Sequence, residues 1–258
     1  MINQSADIEP RPLPDGRLAE RPWLTFLLPL AVFAVVGAFE PTPASETGET
    51  EGWFAIDYRY YPVVYTVKIV LTAAAMALVL PGYRTFRFRV RPLPIALGVV
   101  GAAVWIGLCE LQLESRLLGA LGLDRFLELG ERSAYNPLAE IDSPLAAYAF
   151  LAVRFFGLAI VIAVVEEFFL RGFLMRFLTT ERWWELPLPQ VNRLAIVAGT
   201  VVPMLMHPGE LLAALVWFSA VTWLMLRTGN LWDCVTTHAV TNLLLGLYVV
   251  STGAWRLW

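Results

Sequence analysis

Residues 145–178 read LAAYAFLAVRFFGLAIVIAVVEEFFLRGFLMRFL. This apolar run carries two adjacent carboxylates, Glu166 and Glu167, with Arg171 four residues after the second. A helix of about 20 apolar residues crosses the roughly 30 Å hydrocarbon layer of a membrane. The run is therefore a membrane helix, longer than one crossing needs. A charge placed inside the bilayer costs about 2.5–3.5 kcal/mol on insertion scales, so Glu166, Glu167 and Arg171 need a physical reason to be there.

Further apolar segments lie on both sides of this one. They cover about 23–39, 62–80 and 93–113 before it, and 194–206, 211–226 and 231–250 after it. The segments at 194–206 and 211–226 are separated only by His207, Pro208, Gly209 and Glu210, and read as two short helices or one broken element. The expected fold class is all-α, a polytopic membrane bundle of about six to eight transmembrane helices. Its expected organisation is a mobile N-terminal tail (1–22), N-terminal transmembrane helices and loops (23–144), and a core carrying the chemistry (145–258). The whole chain agrees: 258 residues, 58% hydrophobic and 16% charged, with a mean hydropathy of +0.62. Soluble domains are nearer one quarter charged. A net charge of -3 gives no basic field, so nucleic acid is not an expected partner.

Charge is distributed unevenly between the loops. The stretch 82–92 carries Arg84, Arg87, Arg89 and Arg91 with no acid, whereas 40–61 and 110–142 are rich in acids. The positive-inside rule puts the arginine loop in the cytoplasm and the acidic loops outside. With seven crossings the C-terminus lies outside, and with six it lies inside. Val36-Gly37-Ala38 resembles a signal-peptide cleavage site, but the preceding flank of about 22 residues carries several acids. A retained helix is expected. Residues 114–132, which mix leucines with charges, read as an interfacial helix or packed outer loop. The two cysteines, Cys109 and Cys234, form no disulfide or zinc-knuckle pattern.

Lys68 and Arg154 lie several residues inside spans, and are expected to extend their long stems to the outer interface. Glu167 and Arg171 share a helix face and are expected to pair. Glu166 points about 100° away from that face. As an intramembrane carboxylate outside the pair, it is a candidate general base. His207 ends an apolar run just before Pro208, where the helix cannot continue normally. His238 and Asn242 are four apart on the last helix, where an imidazole and an amide can donate to one oxygen or clamp two helices. The two histidines and the acid pair fall in three separate helices. If they converge, the bundle gains a set able to activate water and stabilise an oxyanion.

Glu166-Glu167-x-x-x-Arg171, a histidine about 40 residues later (His207), and His238-x-x-x-Asn242 together resemble the motifs of the CPBP family. This is the CAAX prenyl endopeptidase and bacteriocin-processing (ABI) family of intramembrane proteases. The bacterial CAAX prenyl protease-related subgroup has similar proportions. The resemblance covers about residues 150–258. It departs from the usual Phe-x-x-x-His motif, because Pro203 stands four residues before His207. That proline is expected to bend the fifth segment.

The resemblance implies a glutamic-type endopeptidase without a metal cofactor. It makes Glu166 the general base, helped by His207, and gives His238 and Asn242 the oxyanion. Glu167 and Arg171 become supporting residues. The implied setting is a bacterial inner (cytoplasmic) membrane, with membrane lipid and a peptide or protein substrate, membrane-associated or lipidated, as partners. Two histidines and a glutamate also permit zinc as an alternative cofactor. A non-catalytic scaffold or immunity protein of the same fold, and a transporter, are the other function classes. Against the transporter, the chain has no repeated halves. Convergence carries a condition of depth. His238 is about 10 Å from the start of its helix and His207 about 20 Å, at 1.5 Å per residue. The fifth segment must then be tilted, broken or started later.

Overall fold

The computed structural model describes residues 17–43, 56–89, 91–120, 122 and 135–258. Among these the chain is helical throughout, with no strand. Seven apolar helices form the bundle: α1 (Leu24–Gly37), α2 (Tyr61–Leu78), α3 (Pro92–Glu110), α4 (Pro144–Phe177), α5 (Arg193–Leu205), α6 (Leu211–Thr228) and α7 (Leu231–Thr252). With their flanking turns, α2, α3, α4, α6 and α7 are long and apolar enough to cross a membrane. The other two are short: α1 is trimmed from the expected 23–39, and α5 keeps the expected length. α1 has 14 residues and α5 has 13. Each is about 20 Å long, short of the hydrocarbon thickness.

Local signals set the helix ends. Asn192 and Asn230 cap α5 and α7, their side chains accepting the N–H groups of Ala195 at 2.8 Å and Trp232 at 3.0 Å. Ser143 caps α4, and Pro144 follows it at the first helical position. Gly229 and Gly253 end α6 and α7 in the left-handed conformation, with φ of 59° and 75°. That conformation is what a tight helix stop needs and glycine adopts freely.

Small residues let the helices approach. At Gly98 on α3, an added Cβ would lie 2.8 Å from the carbonyl oxygen of Thr237 on α7. The Thr237 and Thr241 hydroxyls reach across this seam to the carbonyls of Pro94 and Gly98, each at 3.0 Å. α1 docks through Phe26, whose ring occupies the space a side chain at Gly172 would need. Phe26 packs edge-on against Phe86 and Trp183.

End-to-end contacts agree with an alternating path of seven helices. At the arginine-rich end, Trp232 donates its indole N–H to the Phe86 carbonyl at 3.0 Å and Asn230 its amide to that of Arg87 at 3.2 Å. At the opposite end, Glu110 accepts from Tyr248 at 3.1 Å and pairs with Arg256. The segment after α7 therefore packs at the end opposite the arginine loop.

Lys68 and Arg154 are both buried within the protein. The Lys68 ammonium pairs with Glu40 at 2.7 Å, and Arg154 donates to the Tyr135 carbonyl at 2.8 Å while lying over the Trp258 ring. Both partners belong to the acid-rich loop segments, Glu40 after α1 and Tyr135 before α4. The tail reading of 1–22 falls largely on residues 1–16, outside the described residues, while Arg17–Glu20 forms one helical turn. The interfacial reading of 114–132 is described only in part, by the helix Leu113–Ala120.

Candidate active site

Helix α4 is not a regular helix. It widens into a π-helix over Gly157–Ile162, returns to α over Ala163–Glu167, and widens again over Phe168–Leu174. Such wide turns are rare and concentrate at functional sites. The glutamate pair sits on the short α stretch between them.

Glu167 faces the protein interior and is fully buried, as is Arg171. The expected pair forms, with Arg171 Nη1 at 3.1 Å from Glu167 Oε1. Arg171 also donates to the Phe218 carbonyl at 3.4 Å. The same Glu167 oxygen lies 3.0 Å from Nδ1 of His238, on α7. Glu166 turns the other way, and its Oε2 is 3.8 Å from Nε2 of the same ring. The two adjacent carboxylates thus bracket the two nitrogens of one imidazole.

These bonds determine the histidine tautomers. Glu167 is held by Arg171 as a carboxylate, which only accepts, so Nδ1 of His238 carries the donated proton. In the neutral ring Nε2 is then an acceptor facing Glu166. His207 is oriented in the same manner. It stands just past the end of α5, with Nδ1 at 2.8 Å from the Pro203 carbonyl oxygen. A carbonyl can only accept, so Nδ1 donates there and Nε2 is left as the second nitrogen. Pro203 does not end the helix, which runs on to Leu205. Its carbonyl fixes the histidine ring that the departure from the family motif put in question.

Asn242 uses one amide hydrogen on the Leu158 carbonyl, at 2.9 Å in the first π-helix. Its second N–H remains. His238 and Asn242 are each held by a different part of α4, His238 by Glu167 and Asn242 by Leu158.

All four expected residues, Glu166, His207, His238 and Asn242, line one cavity of about 170 Å³. At about 30 Å³ per water, it has room for on the order of five. His207, just past the end of α5, and His238, on α7, line it together. The wall also carries four aromatic rings, Trp105 from α3, Trp217 and Phe218 from α6, and Trp258 beyond α7, beside Leu158, Ile162, Thr241 and Leu245. The Trp217 ring meets His238 edge-on, with centroids 4.7 Å apart, and its N–H donates to Thr241 at 3.1 Å. Trp105 meets His207 edge-on at 5.7 Å. Sequence reasoning missed these rings. Their signal was position, since membrane-protein tryptophans favour the interfaces, whereas Trp105 and Trp217 fall inside apolar helices.

Among the described residues, no group of three or more His, Cys, Asp or Glu side chains is arranged to hold a metal ion.

Residues 148–244 match the family model described as type II CAAX prenyl endopeptidase Rce1-like. The matched segment contains Glu166, Glu167, Arg171, His207, His238 and Asn242; Trp105 and Trp258 lie outside it. No curated protein matches the chain, and no solved structure does.

Proposed function

From the match of residues 148–244 to the type II CAAX prenyl endopeptidase Rce1-like family model and the geometry of the cavity, we propose that the protein is an intramembrane endopeptidase that hydrolyses a peptide bond with a water activated by Glu166. The observation that carries this reading is the bracketing of His238 between the fully buried Glu167 and Glu166, with His238 and Glu166 lining the cavity. The Glu166 carboxylate and neutral His238 Nε2 are two acceptors 3.8 Å apart. That gap is too long for a direct hydrogen bond and suits a water donating one proton to each.

The chemistry follows from that placement. Glu166 takes a proton from the water as its oxygen attacks the carbonyl carbon of the peptide. The carbonyl oxygen becomes an oxyanion, and the second N–H of Asn242 is positioned in the cavity to donate to it. As the tetrahedral intermediate collapses, the C–N bond breaks and the proton held by Glu166 passes to the leaving amine. Glu167 and Arg171 are positioning residues, which hold His238 in the Nδ1–H form. His207 supplies a second imidazole, fixed by Pro203. The hydrogen bonds move His238 toward holding the water, a different role from the oxyanion donor implied by the family resemblance. The reading uses no metal. It places the protein in a bacterial cytoplasmic membrane, with the arginine-rich end inside, acting on membrane-associated or lipidated peptides.

The test uses purified wild-type protein in detergent, offered a library of blocked hexapeptides with and without a strong zinc chelator. Cleavage in both samples is expected. Cleavage lost with chelator would favour the zinc mechanism, and no cleavage in either would favour a non-catalytic scaffold of the same fold.

A further inference from the structure

The cavity contains many acceptors and few donors. Neutral His207 and His238 each commit their N–H outside it, to the Pro203 carbonyl and to Glu167. Trp217 commits its N–H to Thr241, and Asn242 one of its two to Leu158. Trp105 differs from all of these. It is buried at 6% exposure and lines the cavity, and its indole N–H has no hydrogen-bond partner among the described residues.

An indole nitrogen only donates, and a buried tryptophan usually finds an acceptor. An extended peptide entering the cavity brings what the Trp105 N–H lacks, an acceptor, in its row of carbonyl oxygens. We propose that Trp105 is a substrate-binding residue, its indole N–H donating to a backbone carbonyl oxygen of the bound peptide. The inference rests on the endopeptidase reading and adds to it. It assigns a binding role to α3, which lies outside the family-matched segment. Its edge-on contact with His207 keeps the ring beside the reacting groups. The ligand class is an uncharged peptide backbone, and the bond is indifferent to side-chain identity.

The probe is the blocked hexapeptide that wild-type protein cleaves fastest from the library. It is titrated into Glu166→Gln protein carrying ¹⁵N-labelled tryptophan, so that it binds without being cut. The Trp105 indole resonance is identified by its loss in a Glu166→Gln, Trp105→Phe double variant. That resonance is expected to move downfield as the hexapeptide binds. The double variant keeps an aromatic side chain but loses the indole N–H, and is expected to bind about ten-fold more weakly, as befits one lost hydrogen bond. A hexapeptide that binds while the Trp105 resonance stays put, with equal affinity in both proteins, would overturn the inference and leave the endopeptidase reading standing. If wild-type protein neither cleaves nor binds any hexapeptide, the endopeptidase reading falls and the inference falls with it.

Discussion

Arg171 shows most plainly what a single buried charge does in this protein. It holds Glu167 as an anion, and Glu167 in turn holds His238. Removing one partner of a fully buried pair leaves the other uncompensated, at a cost of about 3–5 kcal/mol. Arg171→Met is therefore expected to lower the melting midpoint in detergent by about 10 °C, at a few degrees per kcal/mol for a chain of this size. An unchanged midpoint would mean that Glu167 finds another partner. The Glu167–Arg171 pair was legible from spacing alone, because residues four apart meet on any helix. The contact with His238 was not, because it joins positions 71 residues apart and depends on how α4 and α7 pack. The same limit hid the partners of Lys68 and Arg154. Glu40 and the Tyr135 carbonyl carry no sequence signal that points to them.

Among the elements, α3 offers a controlled comparison. Gly98 and Gly107 lie on the same helix, but a Cβ at Gly98 would meet Val240 and the Thr237 backbone, while one at Gly107 would meet nothing within 4 Å. Glycine to alanine gains up to about 1 kcal/mol of helix propensity where space allows. Overpacking costs about 1–3 kcal/mol, and at Gly98 the obstacle includes backbone, which cannot swing aside. Gly107→Ala is expected to raise the melting midpoint and Gly98→Ala to lower it. Shifts of the same sign in the two variants would contradict the close α3–α7 seam. Helix number and approximate limits were readable from apolar runs and caps. The two π-helical stretches of α4 were not, since GLAIVI and FFLRGFL have the composition of any membrane helix. That widening decides where Glu166 and the Leu158 carbonyl point, so the least legible local feature positions the site.

The whole molecule builds one cavity from distant parts of the chain. Trp105 comes from α3, Glu166 from α4, His207 from beyond α5, Trp217 from α6 and His238 from α7, with Trp258 closing the wall from the segment that follows. Charge asymmetry between loops gave the alternating path, because the cost of moving arginines across a bilayer is written in composition. That His207 and His238 share this cavity was not readable, since counting along their helices set them at different depths and the packing of α5 carries no sequence signal. The central claim is that this assembled cavity hydrolyses peptides through the Glu166 carboxylate. The most direct measurement is kcat for the best library hexapeptide in wild type and Glu166→Gln, taken together with both melting midpoints. General-base catalysis contributes about 10²–10⁴-fold. The account predicts a loss of kcat of at least that size with the midpoint held. Cleavage by Glu166→Gln at a rate close to that of wild type would contradict it.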